Sequence, residues 1–162
     1  MAEDPKLIGS RSYRVSAGTI TVSTAGAYPA NGVVQGVLTF PNVFRSAQPS
    51  GIIQSAGLVS NATLTNSFEL WLFTQYPTAT TWTDRSAAAI NAADLPYLIP
   101  NPILLSASDS TLGTLAVYAN TALNMQASSA NANLYGILLA TSTVTFSATN
   151  AIVKVEIGVL QD

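Results

Sequence analysis

The chain contains neither cysteine nor histidine. Without cysteine there are no disulfides and no thiolate metal sites. Without histidine the usual general base near neutral pH and the commonest metal ligand are both missing. Charge is scarce as well: Lys+Arg 6 and Asp+Glu 8 amount to 9% of 162 residues, against about 25% in a usual soluble domain. The net charge of −2 offers no clustered basic footprint for nucleic acid. Lys6, Arg11 and Arg14 are the one basic group, and Glu3 and Asp4 nearly offset it. No apolar run approaches the ~18 residues of a membrane span. The first ten residues are acidic where a secretory signal is basic, so the chain reads as cytoplasmic at synthesis.

What replaces the charge is Ser, Thr, Ala and Asn, while the apolar fraction is 48%. A small-polar, weakly charged surface suits protein–protein contact, because interface cores are depleted in charge. It also suits an ordinary β-sandwich surface. A length of 162 residues fits one domain with a self-sufficient core.

Short runs of Val, Ile, Thr, Tyr, Phe and Trp recur between Gly, Pro, Asn and Ser, the spacing of a sandwich or barrel. The clearest run is 151–161, where Val153, Val155, Ile157 and Val159 alternate with Lys154, Glu156 and Gly158. That pattern predicts a strand with its valines in the core and its charges in water. In 115–123, Leu115, Val117, Ala119 and Leu123 form a period-2 face opposite Tyr118 and Asn120. Residues 134–145 follow a polar turn at 128–133. Further candidates are 12–15 with 19–24, 33–40, 51–60 and 67–74. Their connections, Tyr28-Pro-Ala-Asn-Gly32 and Pro41-Asn42, carry turn residues. About eight mainly antiparallel strands result, in one all-β sandwich over 13–162 preceded by a polar, patternless arm over 1–12. Such an arm lies on its own domain or on a neighbour.

Phe68-Glu-Leu-Trp-Leu-Phe73 is apolar on both faces, with Phe68, Leu70 and Leu72 on one and Trp71 and Phe73 beside Glu69 on the other. A strand of this kind is covered twice, by a loop of the same chain or by another subunit. Residues 84–99 break the β pattern. Asp84 is placed to cap a short turn at 86–90, and Asn91 or Asp94 to start another before Pro96.

Chemistry-bearing groups are dispersed. Lys6 and Lys154 lie in no strained nucleophile turn, and G-x-S-x-G is absent. Glu69, Asp84, Asp94, Asp109 and Glu156 single out no carboxylate pair of the kind glycosidases need. Neither a calcium loop nor a phosphate-cradling loop is present. The expectation is a protein without catalysis, cofactor or metal.

An ordered set of short motifs spans about 30–162: Gly51-Ile-Ile-Gln-Ser55, Glu69-Leu-Trp-Leu-Phe73, Pro77-Thr78, Thr83-Asp84-Arg-Ser-Ala-Ala88, Ala92-Ala-Asp-Leu-Pro96, Leu134-Tyr-Gly-Ile-Leu138 and Ile157-Gly-Val-Leu-Gln161. In this order they resemble the capsid decoration, or cement, proteins of tailed bacteriophages. The resemblance implies a jelly-roll sandwich on the exterior of the virion, assembled in the bacterial host cytoplasm. Its implied partners are the major capsid protein and further copies of itself, as a dimer or trimer at a symmetry axis. Neither nucleic acid nor membrane is implied as a partner. Lys6, Arg11, Arg14, Trp71, Phe73 and Trp82 are the candidate capsid or subunit contacts. The alternative is a carbohydrate- or receptor-binding β-module of a phage head or tail, using Trp82, Tyr76 and Tyr97 as a stacking platform.

Overall fold

A computed structural model describes residues 11–18, 20–45, 50–61, 64–106, 110–112, 115–121, 123–146 and 152–161. Lys6 and most of the expected arm lie outside the described residues. Ten strands are present among those residues: β1 (Arg11–Ser16), β2 (Gly32–Phe40), β3 (Ser50–Ser60), β4 (Phe68–Phe73), β5 (Ile103–Leu105), β6 (Ser110–Leu112), β7 (Leu115–Asn120), β8 (Met125–Ser128), β9 (Leu134–Ala140) and β10 (Ile152–Gln161). One 3-10 turn, Leu95–Tyr97, interrupts them.

The strands form two antiparallel sheets. One runs β1-β10-β3-β7-β6, with β8 also on β3; the other runs β2-β9-β4-β5. Strand β7 pairs with Ala56–Ser60 and β8 with Ser50–Ile53. They are one interrupted strand along a single edge of β3, joined by the Leu123 amide donating to the Gln54 carbonyl at 3.2 Å. Taken so, and with the short β6 set aside, eight strands remain. The chain visits the two sheets in the order one-two-one-two-two-one-two-one. That is the double Greek key of a jelly roll. The expected sandwich is present, its strand count close to the eight expected.

The main core fills the space between the sheets. Val155, Ile157 and Val159 reach it as the alternation predicts, each fully buried, and so does Ile152. A register shift between Ile152 and Lys154 explains how residues of opposite parity share one face: a bulge adds one residue and resets the alternation. The side chain of Val153 lies outside the described residues. On β7 the expected face is reversed. Tyr118 is fully buried, whereas Ala119 is exposed. The Tyr118 hydroxyl donates to the Leu64 carbonyl at 2.9 Å, and its ring meets Phe68 edge-on at 5.8 Å. Burying the larger ring with its hydroxyl satisfied outweighs burying Ala119. Residues 20–24 form no strand, although Ile20 and Val22 still alternate into the core. Arg11 and Ser12, expected in the arm, are the first residues of β1 and pair with Gln161 and Leu160.

Candidate interaction surface

The two sheets differ in what covers their outer faces. Every residue of β9 is buried, so the four-stranded sheet has cover on both sides. Its outer face carries Val33, Phe73, Tyr135, Ile137 and Leu139, packed under Trp82, Ala88, Ile90, Tyr97 and Leu98. The second cover of β4 is therefore this chain's own excursion, residues 74–99. Trp82 meets Phe73 at 5.8 Å between ring centroids, and the Trp71 indole donates to Glu69 Oε2 at 3.0 Å. Phe73 has no exposed surface, so it is a core residue and offers no contact to another chain. Trp71 and Trp82 are half-buried in the same layer.

The excursion is held down by backbone pairing and by two carboxylates. Arg85 donates its amide to the Val33 carbonyl at 2.8 Å, and Val33 donates to Ser86 at 2.9 Å. This short ladder covers the edge of β2, which would otherwise present unpaired groups. It also explains why 86–90 forms no helix: the Ser86 carbonyl and the Ala88 amide are used across the chain, on Val33 and Asn31. Asp84 caps no helix. It accepts the Gln35 amide at 2.8 Å, where β2 loses register with β9 between Val34 and Leu38 and Gln35 adopts φ 65°. The bulge frees an amide, and Asp84 takes it.

Asp94 flanks the 3-10 turn without a side-chain cap. Its buried carboxylate instead accepts the Thr80 amide at 2.7 Å and the Ala79 amide at 3.3 Å. Burial alone would raise its pKa. The hydrogen bonds from Thr80, Ala79 and Thr78 outweigh that and hold it below the ordinary value.

The outer face of the six-stranded sheet has no such cover among the described residues. Cross-strand register groups its side chains in rows: Ser12, Leu160, Ile52 and Gln126; then Ser16, Glu156, Gly57 and Ala119; then Lys154, Val59 and Val117. Ile52, Val59, Val117 and Leu160 are each half-buried by this chain alone. A shallow depression of about 60 Å³ lies among Val59, Val117, Ala119 and Glu156. Beside it stands a compact charged group. Arg14 Nη1 lies 2.6 Å from Glu156 Oε1, and Lys154 pairs with the other carboxylate oxygen.

Glu156 departs from the expected solvated position. It is on the outer face, yet its side chain is 11% exposed while Arg14 keeps 71% and Lys154 46%. The direct partner of Glu156 on β3 is Gly57, so the carboxylate lies over that strand. The two cations then close over it. Burial pushes the Glu156 pKa up, but hydrogen bonds and charge from Lys154 and Arg14 bring it below the ordinary value.

The candidate residues are thus separated by the sandwich. Arg14 stands on the open face; Trp71, Phe73 and Trp82 belong to the covered one; the side chain of Arg11 lies outside the described residues. Ile52, Val59, Val117 and Leu160 escaped the sequence reading. Their signal was there: 51–60 is apolar at both parities, and such a strand needs a second cover. Among the described residues no group of three or more Asp or Glu converges as a cation site. No protein-family model matches the chain, and no curated protein matches it significantly.

Proposed function

We propose that this chain is a structural virion protein that binds the outside of a tailed-phage head and ties major capsid protein subunits together. The observation that carries the reading is the open face of the six-stranded sheet. It joins half-buried Ile52, Val59, Val117 and Leu160 to a single charged group, the mixture found at specific interfaces: an apolar centre with a polar rim. The ordered motifs resembling decoration proteins, and the absence of histidine and cysteine, point the same way. Neither the aromatic layer nor the buried carboxylates need a substrate to explain them.

The mechanism is docking without turnover. The apolar rows lie against capsid protein, and Arg14, Glu156 and Lys154 set register at the rim. Copies of this chain associate at a symmetry axis, so many modest contacts act together. The test mixes purified protein with heads assembled without it. Stoichiometric binding is expected, and Val59→Glu with Val117→Glu should abolish it while leaving the circular dichroism spectrum unchanged. Undiminished binding of a folded double variant would exclude this face.

A further inference from the structure

A cleft of about 460 Å³ opens beside the excursion, lined by Thr74, Gln75, Tyr97, Ser128, Ser129 and Asn131. We infer that it is a binding site for a neutral saccharide. The volume is that of ligand sites, about 300–1,000 Å³, in which a few placed polar groups give orientation. Three elements build it: the end of β4, the 3-10 turn and the corner between β8 and β9.

The polar floor is set in advance. Ser129, nearly fully buried, has its hydroxyl 2.7 Å from the Thr74 carbonyl and 2.8 Å from Asn131 Oδ1. Asn131 Nδ2 donates to the Tyr135 hydroxyl at 2.9 Å, which fixes the amide plane and leaves that phenol its own proton to give. The wall is fixed by backbone: the Thr74 amide donates to the Tyr97 carbonyl at 2.8 Å, holding Tyr97 at the rim. Beyond Asn131, Tyr76 is 46% exposed and leans edge-on against Tyr135 at 5.4 Å. Gln75 and Ser128 are exposed at the mouth of the cleft.

This composition selects the ligand class. No charged side chain lines the cleft, so phosphate, carboxylate and sulfate lack the cations that recognise them. A sugar presents an apolar C–H face suited to an aromatic ring and adjacent hydroxyls suited to a planar amide. Tyr97, half-buried at the rim, offers the first. The exposed Gln75 amide offers the second, beside the one remaining Asn131 N–H, since Asn131 Oδ1 already takes the Ser129 hydroxyl and the Asn133 amide at 3.3 Å. Ordering Asn131 and Tyr97 beforehand lowers the cost of binding. Both Trp82 and Tyr97 pack on the covered layer, and of the two Tyr97 also lines the cleft.

The test uses saturation-transfer NMR on the full chain with maltotetraose, cellotetraose, mannotetraose and N,N′,N″,N‴-tetraacetylchitotetraose. A sulfated heparin tetrasaccharide serves as the anionic comparator. At least one neutral member should bind saturably with a Kd of about 1 mM or tighter. Gln75→Ala and Asn131→Ala should each weaken it by roughly tenfold, the ratio about 1.4 kcal/mol corresponds to, and Thr24→Ala, at an exposed position outside the cleft, should not. Gln75 is exposed, so its variant keeps the test sound if Asn131→Ala fails to fold. Absence of binding by every neutral member, binding unaffected by Gln75→Ala, or preference for the sulfated tetrasaccharide would each overturn the inference.

Discussion

Tyr118 and Tyr28 show how single residues tie this core to pH. Both are fully buried. Desolvation pushes each phenol from its ordinary 10.0 up to about 12, and at Tyr28 the nearby Asp84 adds to it. An unfolded chain loses these protons first, so proton release favours unfolding. Stability is therefore complete below pH 10 and declines as pH rises toward about 12. Chemical denaturation followed across this range, with phenolate absorbance read in parallel, should show both events together. Tyr118→Phe should lessen the decline. At neutral pH it should cost about 1–3 kcal/mol, because the Leu64 carbonyl loses its donor. A variant with the same alkaline profile as the parent would show that Tyr118 ionises without unfolding.

At the scale of elements, β9 is the strand on which both layers depend. Leu134, Leu138 and Ala140 face the main core, while Tyr135, Ile137 and Leu139 face the excursion. Gly136 sits between Leu134 and Leu138 on the inner face. A Cβ there would lie 2.8 Å from Phe40 Cε2 and 3.1 Å from Leu70 Cδ1. The absent side chain lets the Phe40 ring pack against the strand itself. Gly136→Val should cost roughly 1–3 kcal/mol through overpacking, read as a lower urea midpoint at unchanged slope. Equal midpoints would mean that the ring relaxes freely. The excursion over this strand was legible in part. Trp71 and Phe73 announced a second cover, but only contact pairing reveals that residues 82–98 supply it. The bridge from Ala87 to Gly32 was hidden because the two residues are about 50 positions apart in sequence, and local propensity carries no trace of such pairing.

For the whole molecule, one sheet is closed by the chain's own loop, and the other carries no such cover among the described residues. A decoration that binds only the assembled shell stabilises that shell by mass action, about 2.7 kcal/mol at a ligand concentration one hundred times Kd. Heads saturated with this protein should release DNA at a higher temperature than bare heads, with or without chelator or reductant. The gain should shrink in high salt to the extent that Arg14 and Lys154 act at the rim. Equal release temperatures at full occupancy would leave a decoration without a stabilising role.

Composition and alternation determined much by themselves. The β class, the inward set Val155, Ile157 and Val159, and the two-sided strand at 68–73 follow from period 2, which sterics impose on any extended chain. The lack of cysteine and histidine removed whole chemistries before any fold was known. Tertiary structure decided the rest. Which face of β7 is inward depended on where Tyr118 finds the Leu64 carbonyl. Glu156 left water where Arg14, from another strand, closes over it with Lys154. The cleft at Tyr97 exists because three distant segments meet. Each of these is settled by a neighbour remote in sequence, and sequence periodicity reports only on neighbours along the chain.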